Sequence, residues 1–292
     1  MRKCFKILLI FCAIVGVAAA TAPTYRHPGF VLWGTDIDAN NNNITNIQNL
    51  TTHGGKELQN PELGASYIIF TDGTTIYAKN GTTGKIDYTG ADASTVINNA
   101  LNSLTTGRTW KEKVIVLGDY TISSTISVPS NTVFEVRGNI TGNEIVLLQN
   151  SDQVGGNEHI EIIGGSWDGS ASSQNSSNRG FNFLKVTDLK VYGVDIKRTG
   201  GHGITLNSVS DGDIYSNTVH DLYYDGISLG SGNSNVRIHH NYVFNTQDDA
   251  IVEAGYPQNF HDIIANNIIY NVNISYGIEA NGYGTIVSGN LI

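Results

Sequence analysis

Two short stretches carry the residues best suited to chemistry. Tyr223-Tyr224-Asp225-Gly226 and Thr246-Gln247-Asp248-Asp249-Ala250 each set an acid just before a small residue and an isoleucine, with Asp225 and Asp249 24 residues apart. Like charges side by side are unfavourable, so the Asp248-Asp249 pair calls for a reason. Carboxyl groups held close raise one another's pKa, and one then keeps its proton near neutrality while another stays ionised. A protonated acid beside an ionised base is what glycosidic-bond cleavage needs.

A repeat would bring these acids together. Ile214, Ile238, Ile264 and Val287 follow one another at steps of 24, 26 and 23 residues. Three residues after each lies an asparagine: Asn217, Asn241, Asn267 and Asn290. A second apolar column runs through Val219, Val243, Ile269 and Ile292. A third, small residue then isoleucine, runs through Gly203-Ile204, Gly226-Ile227, Ala250-Ile251 and Gly277-Ile278. A period in the twenties built from short β runs specifies a solenoid whose rungs stack their apolar faces into one core. The spacing of leucine-rich repeats is absent. Asparagines recurring at one position read as a structural ladder, each amide bonding the next where polar groups would otherwise be buried.

Registration of the rungs turns spacing into geometry. The residue before each small-isoleucine pair falls in one outer column: His202, Asp225, Asp249 and Tyr276. Rungs lie about 4.8 Å apart, so Asp225 and Asp249 become neighbours with Asp248 beside them. His202, Tyr223, Tyr224 and Tyr276 are then candidate substrate-binding residues, because aromatic faces suit the apolar faces of sugar rings. A plainer reading stays open for the same positions. An Asp before Gly-Ile makes turns by accepting backbone N–H groups, and rung aromatics also serve packing. His239-His240 suggests a metal, but successive strand residues point to opposite faces, which argues against a shared ion. His220, His261 and Asp262 read as loop or turn residues.

The rest of the chain points to export. Arg2, Lys3 and Lys6 lead into the apolar "ILLIFCAIVGVAAA", and Ala18-Ala19-Ala20 fits the cleavage rule, which predicts a signal peptide over residues 1–20. Its removal takes away Cys4 and Cys12, excluding disulfides, thiolate metal sites and a cysteine nucleophile, and leaves no membrane span. It also moves the net charge from -9 to -12. An acidic exported chain suits neither nucleic acid nor anionic membranes, so the expected location is extracellular or the cell surface. Residues 21–64 form an Asn-rich segment; within it "DIDANNNNITNIQNLT" resembles segments of phage tail-fibre proteins, a flexible linker being the plainer reading. Asp72-Gly73 and Asn80-Gly81 mark hairpins. Ile97, Leu101 and Leu104, after the capping residues Asp92 or Ser94, predict a helix over 92–106.

From "DASTVINNAL" through "VIVLGDYTISSTISVPSNTVFEVRG" to the rungs, residues 65–292 resemble the pectate-lyase-like right-handed parallel β-helix proteins. The resemblance implies an all-β fold: a single-stranded right-handed parallel β-helix, or solenoid, with an N-terminal amphipathic capping helix. The acidic positions resemble polygalacturonase-type glycoside hydrolases, whose N-T-D-G and N-Q-D-D-C motifs are matched in part at 223–226 and 246–250. That likeness implies Asp248 as general acid, with Asp225 and Asp249 holding and activating the water of an inverting attack on a polysaccharide. This sequence departs from the pattern in three places. The later G-H-G is Ser275-Tyr276-Gly277, Gly201-His202-Gly203 precedes the acids, and R-I-K would fall beyond Ile292.

Charge narrows the substrate. From Thr199 to Ile292 the one Lys or Arg is Arg237, which disfavours a polyuronate groove and an arginine-based, calcium-dependent lyase. A neutral glycan fits better, with no cofactor and no support for calcium. Two functions remain open. One is a secreted glycoside hydrolase using Asp225, Asp248 and Asp249; the other is a noncatalytic adhesin or tailspike-like, glycan-binding surface module. Finally, "GTIVSGNLI" stops within a rung, so no C-terminal cap is expected, and the chain is read as a fragment or as covered there by a partner or another copy.

Overall fold

The computed structural model describes residues 64–292, and the signal-peptide and Asn-rich segments read from the sequence lie outside them. From Glu112 onward every third strand joins the same sheet, so three parallel sheets wind into about seven turns of a right-handed β-solenoid. One turn comprises Ser210–Tyr215 in the long sheet, Thr218–Leu222 in the second and Ile227–Leu229 in the third. The next comprises Arg237–His239, Tyr242–Thr246 and Ile251–Glu253.

The expected columns are in register. Ile214 pairs with Ile238, Ile264 and Val287 in succession. Val219 pairs with Val243 and then Ile269, and Ile204 with Ile227, Ile251 and Ile278. The isoleucines and valines of the inner rungs are fully buried, each worth about 1.5–3 kcal/mol for leaving water. Among the described residues no helix is long and apolar enough to cross a membrane.

The asparagine ladder uses its amides to capacity. Asn217 Nδ2 donates to Asn241 Oδ1, Asn241 Nδ2 to Asn267 Oδ1 and Asn267 Nδ2 to Asn290 Oδ1, each at 3.0 Å. Each Nδ2 also meets a strand carbonyl, as Asn241 does with Ile214 O at 2.8 Å. Each Oδ1 also receives the backbone N–H of the preceding ladder residue, as Asn241 Oδ1 does from Asn217 at 3.0 Å. The reason lies one residue earlier: Ser216, His240 and Asn266 adopt φ of 54°, 55° and 56°. That left-handed bend takes the backbone out of the sheet ladder and strands its polar groups, which the amides then satisfy. A second ladder runs beside it, Asn233 Nδ2 donating to Asn259 Oδ1 at 3.1 Å.

The first coil is closed by a helix and a hairpin. Helix α1 spans Ala93–Asn102, with Asp92 as N-cap accepting from the Thr95 N–H at 2.9 Å. Ala93, Val96, Ile97, Ala100 and Leu101 lie on its buried face. Its polar residues serve the edge strand Ile126–Val128: Asn98 Oδ1 accepts from the Ser127 N–H and Asn98 Nδ2 donates to Thr125 O. The helix ends four residues short of the expected 106. Ser103 bonds back to Asn99 O through both its N–H and its hydroxyl, and Thr105 is then drawn away by Glu112. On the long sheet the edge passes into the antiparallel strands Tyr67–Thr71, Ile76–Asn80 and Ile86–Gly90, whose turns fall at the two hairpin signals.

Replacing Asn241 with Ala strands several buried groups at about 1–3 kcal/mol each. Urea unfolding is expected to show a loss of about 2–5 kcal/mol. Asn273→Ala, which removes an exposed amide bonded to Gln247, is expected to change stability by under about 0.5 kcal/mol.

Candidate active site

The acids stand where the second sheet hands over to the third. Strand Tyr242–Thr246 ends, the chain turns through residues 247–250, and Ile251–Glu253 begins. Thr246 Oγ1 donates to Asp248 O at 2.9 Å, holding the corner, and Thr199 does the same to Gly201 O two rungs earlier. Corners are stitched to one another by the Gly203 N–H to Asp225 O, the Gly226 N–H to Asp249 O and the Ala250 N–H to Tyr276 O. Those bonds bring the next carbonyl so close that a Cβ on Gly226 would sit 2.3 Å from Ala250 O. The small residue after each acid is therefore a packing requirement.

The outer column is as the spacing implies: His202, Asp225, Asp249 and Tyr276 follow in register. Carboxyl oxygens of Asp225, Asp248 and Asp249 all lie within 4.8 Å of one another. Asp225 and Asp249 are buried at 6% and 5% exposure, and Asp248 is half-buried at the opening. Burial first, then the charge of Asp225, then that of Asp249, raise the Asp248 carboxyl above the usual range; the Ser275 hydroxyl and the Asp249 N–H pull it back in part. Asp248 is thus the member placed to hold a proton. Three carboxylates this close could also share a cation, and they are the one such group of three or more among the described residues.

Turn chemistry accounts for one acid of the three. Asp249 Oδ1 accepts the Tyr276 N–H at 2.7 Å, a bond to the next rung. Asp225 Oδ2 instead lies 2.9 Å from His202 Nδ1, a close approach at an angle that makes no hydrogen bond.

The aromatic candidates divide. Tyr223 Oη donates to Ser172 O at 3.0 Å, so its ring is tied to a loop of an earlier rung. Tyr224 meets the His202 ring edge-on at 4.7 Å. Tyr276 is 64% exposed and offers a free face beside Asp249. Elsewhere His220, Phe244 and Tyr270 stack face to face at 4.7 and 4.8 Å, which occupies the faces that a sugar would use.

One residue escaped the sequence reading and four stand differently from it. Arg179 continues the column one rung before His202, since Phe181 pairs with Ile204; Gly180-Phe181 is the signal, with phenylalanine in place of isoleucine. His239 and His240 come together, Nδ1 to Nδ1 at 2.8 Å, because the φ of 55° at His240 undoes strand alternation. His220 lies on a strand, within Thr218–Leu222, and stacks on Phe244. Asp262 is fully buried in the core, because it occupies an inward position just before the Arg237–Ile263 pairing. Arg237 itself bonds Asp213 at 2.7 Å on the long sheet, away from the acids.

No family model matches the chain, that of the pectate-lyase-like proteins included, and no curated protein matches it. Solved structures do. The N-terminal fragment of bacteriophage Phi29 gene product 12 matches with a TM-score of 0.50 at 17% identity, over 69% of this chain and 41% of that one. The pre-mature form of the same gene product gives 0.43 at 18%, over 64% and 31%, and ORF18 of Geobacillus virus E2 gives 0.37 at 13%, over 68% and 57%. This chain spans less than half of the gene product 12 fragment, and at that identity the likeness is one of fold.

Carbon NMR titration of the carboxyl groups tests the electrostatics of the acids. Asp225→Asn is expected to move the Asp248 titration down toward the usual carboxylate range, and Asp249→Asn to move it by a smaller step.

Proposed function

We propose that this β-solenoid is an exported, surface-exposed carbohydrate-active protein that hydrolyses a neutral glycan at Asp225, Asp248 and Asp249. One observation carries the reading: three carboxyls from adjacent rungs converge within 4.8 Å, and the most open of them, Asp248, is pushed toward protonation. Asp248 protonates the leaving oxygen, and Asp225, whose oxygens accept no backbone N–H from the next rung as Asp249 does from Tyr276, is the partner acid. Tyr276 stacks on the sugar beside the acids, and His202 lies against Asp225 from the rung before. Neutral rather than acidic glycan is supported by the stretch from Thr199 to Ile292, whose one Lys or Arg, Arg237, is taken up by Asp213.

A second reading has its own support. The solenoid is similar in fold to a bacteriophage gene product, and residues 36–51 resemble phage tail-fibre segments. On that reading the same column binds a surface glycan without cleaving it.

One assay separates them: the purified chain on a panel of neutral and acidic polysaccharides, beside Asp248→Asn. Release of reducing ends that falls about 10²–10⁴-fold in the variant supports hydrolysis. Binding without release by either form supports the second reading. Neither binding nor release removes both.

A further inference from the structure

Two carboxyls face one another inside the core, where earlier rungs place hydrocarbon. Glu253 occupies the column of Leu206 and Leu229, and Asp262 that of Val236. Both are 0% exposed. Each has one oxygen engaged, Glu253 Oε1 by Thr285 Oγ1 at 2.9 Å and Asp262 Oδ1 by the Val236 N–H at 2.8 Å. The other two, Glu253 Oε2 and Asp262 Oδ2, have no donor, and the side chains are within hydrogen-bonding reach of each other.

Two ionised carboxylates cannot be held that way in a dry core. One proton between Oε2 and Oδ2 serves both atoms and removes one charge. A cation fits worse. The outer oxygens already accept from donors, and the backbone at Gly282 passes so near that a Cβ there would lie 1.9 Å from Glu253 Oε1, leaving no space for a coordination shell. Burial raises the Asp262 carboxyl to about 7, opposed by the Val236 N–H and assisted by Glu253. Other titratable groups nearby look elsewhere: the His261 ring lies against Gly284, Glu279 bonds Asn281, and Tyr283 is exposed. Among the described residues no Lys, Arg or His forms an ion pair with either carboxyl.

We propose that Glu253 and Asp262 share one proton as a pH-sensitive latch, locking the rung that carries Asp248 and Asp249 in acid and loosening it as the pH passes neutrality. Glu253 closes the strand Ile251–Glu253 that starts directly after that corner, so strain on the pair bears on the acids themselves. The latch does not depend on whether those acids cleave a glycan.

The sign follows from proton linkage. The native state holds a proton at Asp262 that the unfolded chain releases near its ordinary carboxylate pKa of 3.8. Its contribution to stability is complete below that value, and is lost as pH rises through the folded one. Relative to Asp262→Asn, the folding constant of the unaltered chain is expected to fall by up to about tenfold per pH unit between about pH 4 and pH 7, then level off. Urea unfolding across that range reads it. Glu253→Leu combined with Asp262→Val restores the residues that neighbouring rungs already use, so it keeps the fold; it is expected to lack the slope and to be the more stable form above neutrality. Carbon NMR should show one buried carboxyl titrating near neutrality, and the signal should vanish in Asp262→Asn. Equal pH slopes in the unaltered chain and both variants, or both carboxyls titrating in the ordinary range, would overturn the latch. So would rescue of stability at high pH by added calcium or magnesium that disappears in Glu253→Leu combined with Asp262→Val, which would mark a cation site at this pair.

Discussion

In-register stacking of parallel rungs is the interaction on which everything else here depends. Each rung takes its backbone partners from the rungs before and after it, so a residue's column is fixed by the hydrogen-bond ladder and not by its own preferences. Apolar columns follow, because a position that faces inward on one rung faces inward on all of them. The bends are where the ladder fails to supply partners. There the left-handed residue at each corner exposes N–H and C=O groups inside the molecule, and an asparagine column closes the account. Asparagine suits that task because it offers donor and acceptor on one planar group, while aspartate offers acceptors alone.

That difference explains why Asp262 behaves unlike its neighbours. At the inward position it replaces an apolar residue, and one Oδ captures the Val236 N–H much as a ladder amide would. The second Oδ then needs a donor that a carboxylate cannot provide for itself. Glu253, across the core on a different sheet, has the same need. Placing two acceptors together is destabilising as ions and acceptable with one proton between them, which couples this region to pH in a way that an asparagine would not.

Much of this was legible in residues 187–292, and the failures have physical causes. The apolar columns and the Asn217 ladder could be read because their steps vary by only three residues, the columns keep to isoleucine and valine, and the ladder keeps to asparagine. The outer column could be read from the small-isoleucine pair, since the approach of the next carbonyl forbids a larger residue at Gly226. Arg179 escaped because its rung spends a phenylalanine where the others use isoleucine. The Asn233–Asn259 ladder and the inward position of Asp262 escaped for a shared reason. Asn259 and Asp262 follow the long turn after Ile251–Glu253, where the rung lengthens to 26 residues and a count from the preceding rung runs out of step. The histidine pair escaped because strand alternation was extended one residue past the strand, into the left-handed corner.

The acids of the outer column show what the scaffold demands and what it leaves free. At His202, Asp225, Asp249 and Tyr276 the backbone carbonyls all do the same work, accepting the N–H of the preceding corner. The side chains therefore owe the fold little, and three different residue types are tolerated at one structural position. Asp249 repays part of its presence by bonding the Tyr276 N–H, and Asp248 meets the Ser275 hydroxyl of the same next rung, but Asp225 approaches His202 without a hydrogen bond. Gathering three carboxyls raises the free energy of each ionised form, and apolar or amide side chains at the same corners would relieve that cost. A cluster that accepts such a cost for so little structural return is where chemistry is to be sought, and within it Asp248, the least buried and the one pushed toward its protonated form, is the residue on which a reaction would turn.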